Sequence, residues 1–267
     1  MDLPSLLAPV GIRGFKLIVE EDPSIKATML QVLQDEYSLA ATRPGLHVSS
    51  LIHCLTKTYW DEKDGVAPLT EDATLLFSIG WGLERVLISR MHVDPMEVEG
   101  ITGSIDFALP DGTPADLKTT RMAVTSSAGC SVCALPYKGH TKALTGHAYV
   151  KADPIPFVMP AGWLRQFKTY KYMQNMQWVL KPVSYDFGVV VVHLIQPVLK
   201  AYRITFTHNE LVENWAWLLA RKDNLREMLV HDDPQPFVHN EPYECKNCEH
   251  SLKCQLAASI EGMKKDV

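Results

Sequence analysis

The sequence predicts a mixed α/β fold, with a mixed β-sheet core flanked by helices and the two ends of the chain joined through cysteines. Three observations predict it. Apolar periodicity runs in the order helices, hairpin, long irregular segment, helix, strands, helix, which is not the regular alternation of a doubly wound sheet. Two strand-like stretches, residues 97–109 and 114–120, flank the turn sequence Pro110-Asp111-Gly112. Cys54 stands near the start of the chain, while Cys245, Cys248 and Cys254 cluster near its end.

Each element has a local reason. Ser49 is placed to cap a short helix that carries Leu51, Cys54 and Leu55 on one side. Thr70, Glu71 and Asp72 open a second helix with the apolar row Leu75, Leu76, Ile79, Leu83, Val86 and Leu87. The hairpin follows, and then residues 121–160, rich in Gly, Pro, Ser, Cys and His, read as a functional insertion or lid. Helical spacing returns over 162–180, strand patterns over 189–195 and 201–206, and a long helix over 209–229. The chain is read as one domain, 1–267. It divides into an extension at 1–47, helices and hairpin at 48–120, the insertion at 121–160, the remaining core at 161–240 and a cysteine segment at 241–256.

Composition narrows the function classes. With 46% hydrophobic and 21% charged residues, the chain has the balance of a soluble globular protein rather than a disordered one. Its longest apolar run, residues 188–195, is too short to cross a bilayer, so no membrane partner is expected. No basic segment leading into an apolar stretch opens the chain, so a cytoplasmic setting is expected. There, cysteines hold metals more often than they form disulfides. A net charge of −5 excludes a protein that coats nucleic acid through bulk positive charge. Any nucleic-acid path must be local, and Lys138, Lys142, Lys151, Arg165, Lys168 and Lys171 are the basic set between the motifs. A solvated face explains any one of them equally well.

The hairpin carries the chemistry. Asp106 and Asp116 lie on partner strands, where cross-strand pairing brings them together, and Lys118 shares the face of Asp116 by the period of two. Phosphodiester hydrolysis uses a divalent metal to neutralise developing charge and to acidify the attacking water. Carboxylates suit hard Mg²⁺ or Mn²⁺, and a neighbouring lysine can orient the water. An Asp-x-Lys triplet alone is weak, and a surface salt bridge explains it as well. Gln166 and Tyr170, at i and i+4, add one helix face.

The order Gly80-x-x-x-Glu84, Gly103-x-x-Asp106, Asp116-x-Lys118, Gln166-x-x-x-Tyr170 resembles the RecB-type nucleases of the PD-(D/E)XK superfamily. One cysteine before that core and three after it resemble the subset with an iron–sulfur cluster, which includes the CRISPR-associated RecB-like exonucleases and the AddB-type helicase–nuclease subunits. The resemblance spans residues 48–256 through short motifs. It implies a restriction-endonuclease-like core and metal-dependent cleavage of DNA, as an exonuclease on single strands or duplex ends. Asp106, Asp116 and Glu84 become metal ligands for Mg²⁺ or Mn²⁺, and Lys118, Gln166 and Tyr170 join the catalytic set. Members usually carry histidine where this chain has Glu84. A helicase or recombination partner is implied, whereas cleavage polarity and oligomeric state are not. The alternative is a non-catalytic iron–sulfur or zinc DNA-binding subunit, against which Asp106, Asp116 and Lys118 argue.

Spacing alone leaves the tail open to zinc or an iron–sulfur cluster, with His250 or Cys54 as fourth ligand. The resemblance selects a 4Fe–4S cluster on Cys54, Cys245, Cys248 and Cys254. Cys130, Cys133, His140 and His147 read first as ordinary residues of the insertion, and second as a tetrahedral zinc site. His47, His53, His193, His208, Trp215 and Trp217 read as structural.

Overall fold

The computed structural model describes residues 22–41, 45–66, 68–88, 93–121, 125–126, 155–156, 159–177, 184–195, 197–236, 238, 242–245 and 248–265. It opens with helix α1 (Pro23–Ala41), which the sequence reading had left in the extension. Strand β1 (Leu46–His47) leads into α2 (Val48–Ile52), α3 (Leu55–Asp64) and α4 (Glu71–Ile88). The helix expected around Cys54 is two helices. His47, not Ser49, occupies the N-cap of α2, and the chain breaks at His53 so that Cys54 caps α3. Thr70 does open α4, its Oγ1 accepting the Ala73 N–H at 3.3 Å. The apolar row of α4 is not all inward, however, because Leu75, Ile79 and Val86 are exposed. What α4 buries instead is the side holding Thr74, and Phe77 and Trp81 meet Tyr37 of α1 at 5.4 and 6.1 Å.

The stretch read as one strand over 97–109 is three. Strands β2 (Met96–Val98) and β3 (Ile101–Gly103) form a tight hairpin whose turn, Glu99 and Gly100, has φ of 52° and 71°. Together with β1 they make a small sheet in the order β1-β3-β2. The chain then bends, and β4 (Phe107–Ala108) starts a second sheet with β5 (Pro114–Thr120). The turn between them forms as the sequence predicts, with Gly112 at φ 81° and Asp111 Oδ1 accepting the Thr113 N–H. A two-stranded ribbon, β6 (Thr125–Ser126) with β7 (Ile155–Pro156), lies within the insertion at 121–160, most of which is outside the described residues.

From β5 the chain crosses through α5 (Ala161–Gln177) to β8 (Asp186–His193), which pairs parallel to β5 and antiparallel to β9 (Val198–Thr205). A parallel neighbour requires such a crossover. Helix α6 (His208–His231) follows, fixed at its start by a full capping box between Thr207 and Glu210. A 3-10 turn (Pro242–Cys245) and α7 (Ser251–Lys265) complete the order. The core lies where α5, α6 and α2 cover one face of the sheet β4-β5-β8-β9. There Phe167 stacks on Phe187 at 5.0 Å, beside Met173, Val189, Val191 and Leu211.

Gly103 lets α5 come this close. A Cβ on it would lie 2.9 Å from Met173 Sδ and 3.1 Å from the Tyr170 ring. Gly103→Ala is therefore expected to destabilise the protein by about 1–3 kcal/mol, the usual cost of overpacking. Urea denaturation measures this, and an unshifted midpoint would place α5 farther from β3.

Candidate active site and cysteine centre

Strand β5 carries the candidate active site. Phe107 pairs with Ala115 and Ala108 with Pro114, so one further step of the register sets Asp106 opposite Asp116. Asp106 sits in the bend before β4 rather than on the ladder, and its Oδ2 accepts the Leu117 backbone N–H at 2.7 Å. Asp116 is 1% exposed, and Lys118 places Nζ 2.5 Å from its Oδ2. Among the described residues that oxygen has no hydrogen bond apart from this ion pair. The same ammonium lies 5.7 Å from the Phe167 ring centroid, so the pair faces α5.

Burial pushes the Asp106 carboxyl up, and the adjacent Asp116 charge carries it further, to about 8, against the pull of Lys118 and the Leu117 N–H. One lysine does not balance two buried carboxylates. An oxygen donor set in that condition fits a hard divalent cation. The same imbalance gives a pH dependence. Because the folded-state value lies above the ordinary 3.8, the native state holds this proton more tightly than the unfolded chain does. Its stabilising contribution is complete below about pH 4 and is lost as pH rises through about 8. Without divalent cations the melting temperature should fall across that window, Mg²⁺ should restore it, and Asp106→Asn should remove both effects. A flat metal-free profile would contradict this electrostatic account.

With Phe77, Trp81, Leu117 and Thr119, Glu84 lines a hollow of about 420 Å³ between α4 and β5. Leu117 and Thr119 alternate with Asp116 and Lys118, so this hollow opens on the opposite face of the strand. The Glu84 charge nevertheless reaches Asp106 and contributes to its rise. Gln166 and Tyr170 do share a helix face, with Gln166 Nε2 donating to Tyr170 Oη at 2.7 Å, and Tyr170 is buried against Gly103 on the strand that leads to Asp106.

The expected basic path falls only partly within the described residues. Lys138, Lys142 and Lys151 lie outside the described residues. Lys168 is paired with Glu210 at 3.0 Å, and Arg165 lies over the Trp217 ring at 3.9 Å. Lys171 must be removed from the surface set. It is 2% exposed, bonded to Gln174 at 2.8 Å, and its ammonium is held down to about 8 by burial. Trp215 packs as expected, stacked on Tyr172 at 4.8 Å.

The fold brings Cys54 to the three tail cysteines. Burial raises the thiol of Cys245, with Cys54 and Cys254 adding to the rise; burial likewise raises Cys248, which also feels Cys54. No disulfide joins them. Cys130, Cys133, His140 and His147 lie outside the described residues.

His250 is engaged elsewhere. It is 4% exposed, with Nε2 2.9 Å from Asp61 Oδ1. The Lys57 ammonium bridges Asp61 and Glu249, and Lys253 pairs with Asp64 at 2.5 Å while lying over Trp60. These pairs lace α3 to the start of α7 and hold Cys248 and Cys254 beside Cys54. Sequence reasoning missed them, although the spacing of Lys57, Asp61 and Asp64 along one helix face was the available signal.

No protein-family model and no curated protein matches this chain. Among solved structures it is similar to the crystal structure of SSO0001, at 15% identity and a TM-score of 0.46 over 85% of this chain and 95% of that one. It is also similar to an alkaline exonuclease (LHK-Exo) from Laribacter hongkongensis, at 11% identity and a TM-score of 0.40 over 73% of this chain and 95% of that one. A phage-related exonuclease from Haemophilus somnus 129PT is similar at 10% identity and a TM-score of 0.37, over 70% and 96% of the two chains.

Proposed function

We propose that this chain is a divalent-metal-dependent nuclease that hydrolyses DNA phosphodiesters, acting as an exonuclease on single strands or duplex ends. The observation that carries the proposal is the buried pair Asp106 and Asp116 with Lys118 on the same strand face. Asp106 and Asp116 would hold Mg²⁺ or Mn²⁺, with Glu84, whose charge reaches Asp106, as the third carboxylate. Bound there, the metal would supply charge neutralisation and a more acidic water. The Lys118 ammonium would orient the attacking water by hydrogen bonding and stabilise the negative charge that develops on the phosphate. Gln166, fixed by Tyr170, offers its amide to a phosphate oxygen of the strand. Phosphate contacts of that kind carry no sequence information, so cleavage is expected to be indifferent to sequence.

For the cysteines, we assign a 4Fe–4S cluster on Cys54, Cys245, Cys248 and Cys254. A tetrahedral zinc site would draw the sulfurs to about 3.8 Å from one another, given Zn–S bonds of about 2.3 Å. Four thiolates suit either group, and what favours the cluster is the order of one cysteine before the core and three after it, which resembles the cluster-bearing nucleases. A helicase or recombination factor remains the proposed kind of partner.

Labelled single-stranded and duplex DNA, incubated with pure protein with and without Mg²⁺ or Mn²⁺, tests the nuclease. Metal-dependent loss of terminal nucleotides supports it, and intact DNA under every condition overturns it. Anaerobically purified protein should contain about four irons per chain.

A further inference from the structure

Arg221 of α6 holds the chain immediately ahead of Cys54. Its Nε donates to the Leu51 carbonyl and its Nη2 to the His53 carbonyl, the acceptors left open where α2 ends. Two groups at the cysteine centre, Glu244 and Cys54, favour its charge against the cost of burial. Glu244 precedes Cys245, is 10% exposed, and leaves Oε2 without a hydrogen bond.

Arg221 also reaches toward α5. Its Cζ lies 4.9 Å from the Trp217 ring centroid, and Arg165 Cζ lies 3.9 Å from the same centroid. Asn214 locks Arg165 in place, accepting from its Nη1 at 3.4 Å and donating to its carbonyl at 3.1 Å and to Thr169 Oγ1 at 2.9 Å. Arg165 and Thr169 flank Gln166 on α5. Asn214, Trp217 and Arg221 follow at i, i+3 and i+7, so a single face of α6 grips both α5 and the Cys54 loop.

Two guanidiniums around one indole are an expensive way to fill space. They repel each other, and burial already disfavours the Arg221 charge. A leucine at either position would pack without that cost. Arg221 instead faces negative charge at the cysteine centre, from Glu244 first and Cys54 second, and thiolates bound to a metal would add to it.

We propose that Arg221 is a positioning residue that sets Cys54 for metal binding and, through Trp217 and Arg165, ties the cysteine centre to the helix carrying Gln166 and Tyr170. The proposal rests on the cysteines being metal ligands and is independent of the nuclease reading. Groups that orient a ligand in this way change metal affinity by about ten- to a hundredfold.

The test uses the full chain, purified anaerobically as wild type, Arg221→Lys, Arg221→Gln and Trp217→Leu. Metal content, the rate of metal release to a chelator, the reduction potential of the bound centre and amide exchange over residues 161–177 are measured. Arg221→Gln should release metal about tenfold faster or more, and its centre should be harder to reduce, because a nearby positive charge is gone. Arg221→Lys should restore the potential but not the release rate, since it keeps the charge and loses the two-handed grip. Stripping metal from the wild type should speed exchange in 161–177, and Trp217→Leu should keep its metal while losing that response. Wild-type release and potential in Arg221→Gln overturn the proposal, as does exchange in α5 that ignores metal removal. A wild type that holds no metal overturns the cysteine reading beneath it.

Discussion

Asp116→Asn should abolish DNA cleavage, lowering the single-turnover rate on the order of a thousandfold or more, about 4 kcal/mol of transition-state stabilisation. It should do so without unfolding the protein. Asparagine keeps the shape of a side chain that is 1% exposed, and it removes one of the two charges that oppose each other beside Lys118. Lys118→Ala should be equally inactive for a different reason. It deletes the ammonium held 2.5 Å from Asp116 Oδ2, so both carboxylates are left to repel in a buried site. The two variants therefore separate in stability. Asp116→Asn should melt at or above the wild-type temperature without divalent cations, and Lys118→Ala should melt below it and recover when Mg²⁺ is added. Gel-resolved cleavage with Mn²⁺ and thermal melting measure the pair. Near-normal turnover by Asp116→Asn would sink the assignment of this strand as the catalytic centre.

The parts of this site that sequence made legible are those governed by short-range periodicity. Asp116 and Lys118 share a face because strand side chains alternate, and Gln166 and Tyr170 share one because a helix turns every 3.6 residues. The turn at Asp111 and Gly112 was equally local. What the sequence did not show depended on how elements meet. Residues 97–109 alternate as one strand would, yet the backbone bends after Gly103, where Tyr170 and Met173 of α5 pack closely, and Asp106 sits in that bend off the ladder. The Gly80-to-Glu84 motif correctly marked a helix but not the side of β5 against which it packs. Lys171 looked like a surface lysine because its neighbours in sequence are polar, and only the packing of α5 on the core shows it to be interior. The cysteines were visible as a set, whereas the salt bridges that bring the tail onto α3 were not, since they join residues far apart in the chain.

Those salt bridges sharpen what Cys54→Ser should do. A metal centre on Cys54, Cys245, Cys248 and Cys254 closes nearly the whole chain into one loop. By the entropy of cross-linking, closing a loop of roughly 190 residues stabilises the fold by about 5 kcal/mol, and metal affinity adds to folding free energy directly. The ties that survive without the metal are weaker. The pairs Lys57–Glu249, Asp61–His250 and Asp64–Lys253 are mostly at or near the surface, where each contributes about 0–1 kcal/mol. The backbone adds Leu55 N–H to the Val238 carbonyl, and Thr56 Oγ1 donates to the Gln235 carbonyl. Together these hold α7 in place only while Cys54 and its loop hold theirs. Cys54→Ser should therefore yield an insoluble protein, or a soluble one that is cut rapidly by protease around residues 242–265 and carries no iron. Limited proteolysis with mass spectrometry, alongside iron analysis, measures both. A stable, fully active Cys54→Ser protein with its metal in place would remove Cys54 from the ligand set and return His250 to it, at the expense of the bond that His250 makes to Asp61.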